Sequence, residues 1–384
     1  MPISYQEALQ IIQTSIKPLH VKQTLPLLSA LHRVSSQDIH ANFSLPKYPM
    51  SLKEGYGIAF KSHTTHYPLL QPPYPLSIPL GYGVKLSTGS PIPEGINAII
   101  PEEDVLVERE NEIQISLHVT LFAHMKKEGE DITQGEVLLK KGERLSAQKI
   151  TALASQCIQN IHVFKKPTIS LLSIGAQLVK KEICNSNAMS LAARILELGG
   201  KIGDIHLCDD NEDAILKAMD TLMPTSDAII TTGALSRNDS MCSLLEKKTL
   251  FPLFHHVSIS PARPSALSML HKKPILHLPG LPLSCTLGFE MLGVPLLRHI
   301  QSLPSLLHTF ISCVNQKRIT CKDACMSAIP GYSDGNHFVS APHYEAGRLN
   351  ILSQCNGYAL IEKRASIEEG EEIPFFFFTH PPVS

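Results

Sequence analysis

Thr168-Ile169-Ser170-Leu171-Leu172-Ser173-Ile174-Gly175 is a run of apolar and small residues closed by a glycine. Such a run, too short for a buried helix and bounded by a turn residue, is the pattern of a strand covered on both faces. The unit then repeats. Ala188 to Leu198 carries Leu191, Ala192, Ile195 and Leu198 at helical spacing and stops at Gly199-Gly200. Lys201 to Leu207 is a strand, and Asp210 can cap a helix reaching about Met219. Ala228 to Thr231 is a strand running into Thr232-Gly233, a helix covers residues 239–246, Pro274 to His277 is a strand, and Leu283 to Leu297 is helical. Strands alternating with helices require crossover connections, so the centre of the chain is α/β: three layers with a mainly parallel sheet.

Outward from this centre the texture changes. Ser4 and Glu7 form a capping-box pattern before Ala8, Ile11 and Ile12, which predicts a helix over residues 5–16. From Ser44 to Pro101, prolines, glycines and short apolar pieces predict strands and turns, and Glu112 to Leu117 alternates as a half-buried strand does. Ala147 to Cys157 reads as a helix that returns to strand texture at Ile161-His162-Val163. Beyond Leu303 the chain is strand-rich again and implies a small β domain ending in Pro374 to Phe378, adhesive if left as an edge.

With 384 residues the chain exceeds one ordinary core. Its 43% hydrophobic and 18% charged content suits a folded protein, and a net charge of −1 provides no broad field for nucleic acid. The N-terminus lacks the basic and apolar regions of a signal peptide, and no apolar run is long enough to span a bilayer. The nine cysteines include no CxxC; Cys321 and Cys325 are spaced as metal ligands can be, without a second pair. These features read as a cytoplasmic protein with reduced thiols and neither a nucleic-acid nor a membrane partner.

Ligands of a parallel sheet sit at the carboxyl ends of its strands, and four loops fall there. They are Gly175-Ala176-Gln177-Leu178, Asp209-Asp210, Thr231-Thr232-Gly233-Ala234-Leu235-Ser236, and Leu278-Pro279-Gly280-Leu281-Pro282-Leu283-Ser284. Hydroxyls and an unobstructed backbone at a strand–helix turn suit phosphate, although ordinary βα-loop chemistry uses the same residues. No G-x-G-x-x-G follows a strand, which disfavours a nicotinamide dinucleotide fold. A fifth segment, Ser87-Thr88-Gly89-Ser90-Pro91-Ile92-Pro93-Glu94-Gly95-Ile96-Asn97-Ala98, is stiffened by two prolines. Read locally, it is either a rigid surface turn or a loop that holds an oxyanion through Thr88, Ser90 and free amides.

The 87–98 segment resembles the Thr-Gly-Ala-Pro-x-Pro-x-Gly-Ala-Asp/Asn-Ala segment of the molybdopterin molybdenumtransferases, the MoeA and gephyrin E-domain family. The likeness continues through residues 128–145 and 278–284, the latter similar to Leu-Pro-Gly-Asn-Pro-Val-Ser. It is weaker at 54–57, similar to Asp-Gly-Tyr, and at 231–239, similar to Ser-Ser-Gly-Gly-Val-Ser. The resemblance implies a split linker domain (1–43 and 128–165), an inserted β-rich domain (44–127), a molybdopterin-binding α/β domain (166–302) and a C-terminal β domain (303–384). It also implies an elongated homodimer that inserts molybdenum from molybdate into adenylylated molybdopterin, releasing AMP with Mg²⁺. The active cleft would lie between domains. Molybdopterin adenylyltransferase and molybdoenzymes are the macromolecular partners that follow.

Carried over residue by residue, the resemblance makes Glu54, Thr88 and Asp210 catalytic and puts Thr88, Ser90 and Arg263 near molybdate. Asp210 and Asp239 would hold the metal. Thr232, Gly233, Ser236, Arg263, Pro279, Gly280, Pro282 and Ser284 would line the pterin pocket. Several family positions differ here. The Asp-Glu of the first loop is Ala176-Gln177, and Lys-Pro-Gly-Lys-Pro is Ser260-Pro261-Ala262-Arg263-Pro264. The second glycine of the third loop is Ala234, the glycine before Asp239 is Asn238, and the fourth-loop asparagine is Leu281. The apolar framework is kept while polar positions are lost. The alternative reading is a relative that binds molybdopterin without turning it over. The central domain alone is also similar to molybdopterin adenylyltransferases and the CinA-type family.

Overall fold

Thr168–Ile174 forms strand β1, and all seven of its residues are buried. It is one of the inner members of a six-stranded sheet in a computed structural model that describes residues 2–307, 309–321, 325–344 and 347–378. The other strands are β2 (Lys201–Cys208), β3 (Ala228–Thr232), β4 (Phe251–His255), β5 (Ala266–Leu270) and β6 (Lys273–Leu278). The order is β2-β1-β3-β6-β5-β4. The first four strands are parallel; β5 pairs antiparallel with β6, and β4 antiparallel with β5. These two strands went unread because their apolar residues are interrupted by polar and turn residues.

Alternate residues feed two cores, as a period of two requires. Ile169 and Leu171 of β1 pack with Ala188, Leu191 and Ile195 of helix α2 (Ser186–Glu197). Leu172 and Ile174 pack with Ile215, Met219 and Leu222 of α3 (Glu212–Leu222), and with Leu244 and Leu245 of α4 (Ser240–Glu246). The N-terminal helix α1 (Tyr5–Ser15) has both halves of its capping box and buries Tyr5, Ala8 and Ile12.

Two expectations need correction. Asp210 does not cap α3: Asn211 does, its side chain accepting from the Ala214 amide. The helix expected over residues 283–297 is three pieces: α5 (Pro282–Gly288), a π-helical turn Phe289–Gly293, and α6 (Val294–Ile300). Pro295 has no amide proton to extend an α-helical ladder, and the carbonyl of Met291 instead accepts from Tyr5 Oη at 3.1 Å.

Five strands close a C-terminal barrel: β7 (Ile311–Asn315), β8 (Met326–Ser333), β9 (His337–Ser340), β10 (Gly357–Ile361) and β11 (Glu372–Phe377). Neighbours pair around the ring β8-β9-β7-β11-β10 and back to β8. The phenylalanine-rich last strand therefore has partners on both sides, and Phe338 and Phe375 fill the barrel core.

The chain divides into two compact units, one of Met1–Gln37, Lys141–Ser146 and Asn160–Ser384, the other of Asp38–Lys140 and Ala147–Gln159. In the second unit, Gly55–Ile58 lies antiparallel between Gly83–Leu86 and Ala98–Pro101. A further sheet joins His66–Pro68, Glu112–Ile115 and Val105–Arg109. Among the described residues, no helix is long and apolar enough to cross a membrane, and no disulfide joins any cysteines.

Candidate functional site

The registers Ile174↔Cys208, Ser173↔Thr232 and Thr232↔Leu278 bring the carboxyl ends of β2, β1, β3 and β6 nearly level. Their four loops therefore emerge side by side. Gly233 sits at φ +92°, its amide donates to the Leu278 carbonyl at 3.1 Å, and a Cβ there would lie 2.5 Å from the Ile174 carbonyl oxygen. Only glycine permits this close crossing. Gly280 approaches it so closely that a Cβ on Gly280 would lie 3.3 Å from Gly233 Cα.

The acidic pair belongs to the same cluster. Asp210 Oδ1 accepts from the Ser240 amide at 3.1 Å, and Asp239 Oδ2 accepts from the Ser236 amide at 2.7 Å. Each carboxylate is thereby held by a backbone amide of the third loop or of the helix that follows it. Thr232 is only 4% exposed and its hydroxyl donates to Ser173 Oγ at 3.3 Å. Thr231 is buried against His277 Nδ1 at 2.9 Å. Both hydroxyls serve the sheet's own network, whereas Ser236, Gly280 and Leu281 are open to solvent. Pro279 is buried and Pro282 opens α5.

Arg263 and Ser284 meet at a neighbouring cavity of about 480 Å³ whose walls include Ser258, Ser260, Pro261 and Cys325. Ser284 is 6% exposed on the first turn of α5, and Arg263 is exposed. Two alanines at positions where the resemblance implies glycine have a left-handed backbone: Ala234 at φ +57° and Ala262 at φ +79°. Both loops thus hold a left-handed residue without the glycine that adopts it most easily.

In the second unit the 87–98 loop is a tight turn pinned to the segment that carries Glu54. The Ser90 amide donates to the Ser87 carbonyl, and Ser90 Oγ accepts from the Ser87 amide at 3.2 Å. Gly89 donates to the Ser51 carbonyl at 2.8 Å, and Ser51 donates back to the Ser90 carbonyl at 2.9 Å. Ser51 Oγ in turn donates to the Lys53 carbonyl at 2.6 Å. Glu54 and Thr88, both exposed, therefore belong to adjoining turns of one unit.

Three side chains that the sequence reading missed complete these surroundings. Asn187 Nδ2 donates to the Gly280 carbonyl at 2.8 Å, Ser173 Oγ donates to Asn185 Oδ1 at 3.0 Å, and Asn185 also caps α2. An Asn-Ser-Asn run at the start of a helix was the available signal. Among the described residues no group of three or more histidine, cysteine or acidic side chains could hold a metal ion.

Comparison with known proteins agrees with this layout. Residues 3–157 match the family model for the MoeA N-terminal region (domain I and II), and residues 170–299 match the "probable molybdopterin binding domain". The molybdopterin molybdenumtransferase of Synechococcus elongatus is 29% identical over 324 residues, covering 77% of this chain and 80% of its own length. That of Haemophilus influenzae is 27% identical over 293 residues, covering 72% of each. A solved molybdopterin biosynthesis protein MoeA from Pyrococcus horikoshii superposes over 98% of this chain and 100% of its own, at a TM-score of 0.84 and 22% identity. The chain belongs to the MoeA family.

Proposed function

We propose that this chain is a molybdopterin molybdenumtransferase of molybdenum cofactor biosynthesis, inserting molybdenum from molybdate into adenylylated molybdopterin with release of AMP. The supporting observation is the levelled loop cluster, where Gly233 and Gly280 bare the backbone and Asp210 and Asp239 stand amide-anchored beside them. Backbone amides and glycines at strand–helix turns bind phosphate. Gly233, Ser236, Pro279, Gly280 and Pro282, with Thr232 shaping the loop, are assigned to the pterin and its phosphate. Arg263 and Ser284 extend the pocket, and the Arg263 guanidinium can fork two oxygens of an oxyanion.

Thr88, Ser90 and Arg263 are assigned to molybdate, and Glu54, Thr88 and Asp210 to the chemistry. In this reading Ser90 keeps the turn through its own hydroxyl, while Thr88 and Glu54 carry the exposed polar groups. The donor set around Asp210 and Asp239 fits Mg²⁺, a hard cation that takes one or two carboxylates and fills its remaining positions with water and substrate phosphate. Bound there, Mg²⁺ would neutralise phosphate charge; the protein's own part is to fix the two carboxylates through the Ser240 and Ser236 amides. The four-domain division, a cytoplasmic homodimer, and delivery from an adenylyltransferase to molybdoenzymes belong to the same proposal.

The deciding experiment is AMP release from adenylylated molybdopterin with and without molybdate and Mg²⁺. Molybdate-dependent release is the expected result. Tight pterin binding without AMP release would identify a binding relative that has lost the chemistry at Ala176, Gln177 and Ser260.

A further inference from the structure

Away from the strand-end loops, four cations of the first unit gather without a carboxylate among them. Arg33 is 8% exposed, and its Nη2 donates to the Phe164 carbonyl at 2.7 Å. With the Gln23 amide turned so that its oxygen faces the guanidinium, Gln23 accepts from Arg33 Nη1 and Nη2 at 2.7 and 2.5 Å. Arg144 donates to the His32 carbonyl at 3.0 Å, the Leu198 carbonyl at 3.1 Å and Gln301 Oε1 at 2.8 Å. Arg298 Nε donates to the Ser305 carbonyl at 2.8 Å. The fourth cation, Lys166, is exposed at the rim.

Carbonyls satisfy N–H groups but leave the formal charges in place. No ion pair among the described residues joins Arg33, Arg144, Lys166 or Arg298 to an acid. Burial of Arg33 and partial desolvation of the other three hold all four below their usual basicity; the charges of Arg33 and Arg144 add to the effect at the rim residue Lys166, and that of Arg144 at Arg298. Buried charge without a counter-charge is unfavourable, so the cluster is incomplete as it stands. Arg33, Arg144 and Lys166 line a cavity of about 10 Å³, with His32, Lys165 and Gly199 around it. That is room for about one oxygen atom. Gly199 keeps it open, since a Cβ there would lie 2.6 Å from Arg144 Nη1.

We infer that Arg33, Arg144 and Lys166 form a binding site for a phosphate-like oxyanion. One oxygen enters the cavity while Lys165, Lys166 and His32 hold the remainder at the rim. The site does not depend on the transferase reading, because none of its residues lies in the strand-end loops or the Arg263 pocket.

The test is thermal unfolding of the full chain carrying Arg263→Ala, which weakens the other anion pocket, with ligand added at constant ionic strength. Inorganic phosphate, molybdate and AMP are compared with chloride. The expected result is a rise in melting temperature with phosphate that Lys166→Ala shifts to about tenfold higher concentration, the worth of one charge-assisted hydrogen bond. Arg33→Gln should do the same; if it fails to fold, Lys166→Ala carries the test alone. Response to phosphate and molybdate but not AMP identifies a free inorganic ion, and response to AMP identifies a phosphoryl ester; both support the site. A rise no larger than chloride gives, or one unchanged by Lys166→Ala, overturns it. Sedimentation showing that Lys166→Ala dissociates an oligomer, with no phosphate response in the parent, overturns it in favour of an acidic side chain from a second copy.

Discussion

Asp210 Oδ1 accepts a hydrogen bond from the Ser240 amide at 3.1 Å, tying the loop after β2 to the first turn of α4. One carboxylate thus anchors a second loop and still belongs to the acidic pair assigned to the metal. The two roles separate by substitution. Asp210→Asn keeps an acceptor and removes the charge, whereas Asp210→Ala removes both. Asp210→Ala should lower unfolding free energy in urea by about 1 kcal/mol, as loss of an acceptor at a helix start does, and Asp210→Asn by less. Both should slow AMP release by about 100-fold or more if the charge is used. Normal AMP release by Asp210→Asn would remove the charge from the mechanism.

Glu54 is exposed on the segment that the 87–90 turn grips. Glu54→Gln keeps its size and should leave pterin binding nearly intact while molybdate-dependent AMP release falls about 100-fold, the usual worth of a positioned acid or base. Binding and turnover are measured on the same preparation. Unchanged turnover would take Glu54 out of the reaction.

Ala234 adopts φ +57°, which an L-residue enters only at a cost. Ala234→Gly should raise stability by about 1 kcal/mol, measured by urea unfolding. A loss of stability instead would mean that the methyl packs better than the backbone geometry implies.

His277 is buried between Thr231 Oγ1 at 2.9 Å from Nδ1 and Ser268 Oγ at 2.8 Å from Nε2. Burial, reinforced by the charge of His255, pushes its pKa down from 6.5 to about 3. The folded chain keeps this ring neutral while the unfolded chain protonates it. Its contribution is therefore present above pH 6.5 and lost as pH falls from 6.5 toward 3, at about 1.4 kcal/mol per pH unit. The stability gap between the parent and His277→Gln should narrow between pH 7.5 and pH 4.5. A constant gap would show that the ring is not held neutral.

Much of the fold was legible because hydrophobic burial leaves a period in the chain. β1 read as doubly buried because every position from Thr168 to Ile174 is small or apolar, and α2 read as amphipathic from Leu191, Ala192 and Ile195. The strand-end loops were legible because glycine and proline are demanded by local geometry, as Gly233 demonstrates with a φ of +92°. The helix start at Asn211 was misread because Asp210 and Asn211 are equally good caps, and what diverts Asp210 is the Ser240 amide 30 residues away.

By itself, then, the sequence determined the α/β centre, the proline-stiffened 87–98 loop, the β-rich C-terminal part and the family, because these rest on residue type and short spacing. Only the tertiary structure decided that the last strand closes a barrel, that Thr231 and Thr232 turn their hydroxyls into the sheet, and that Arg33, Arg144 and Lys166 line one cavity. Those facts depend on which residues far apart in the chain meet in space, and no local propensity encodes that.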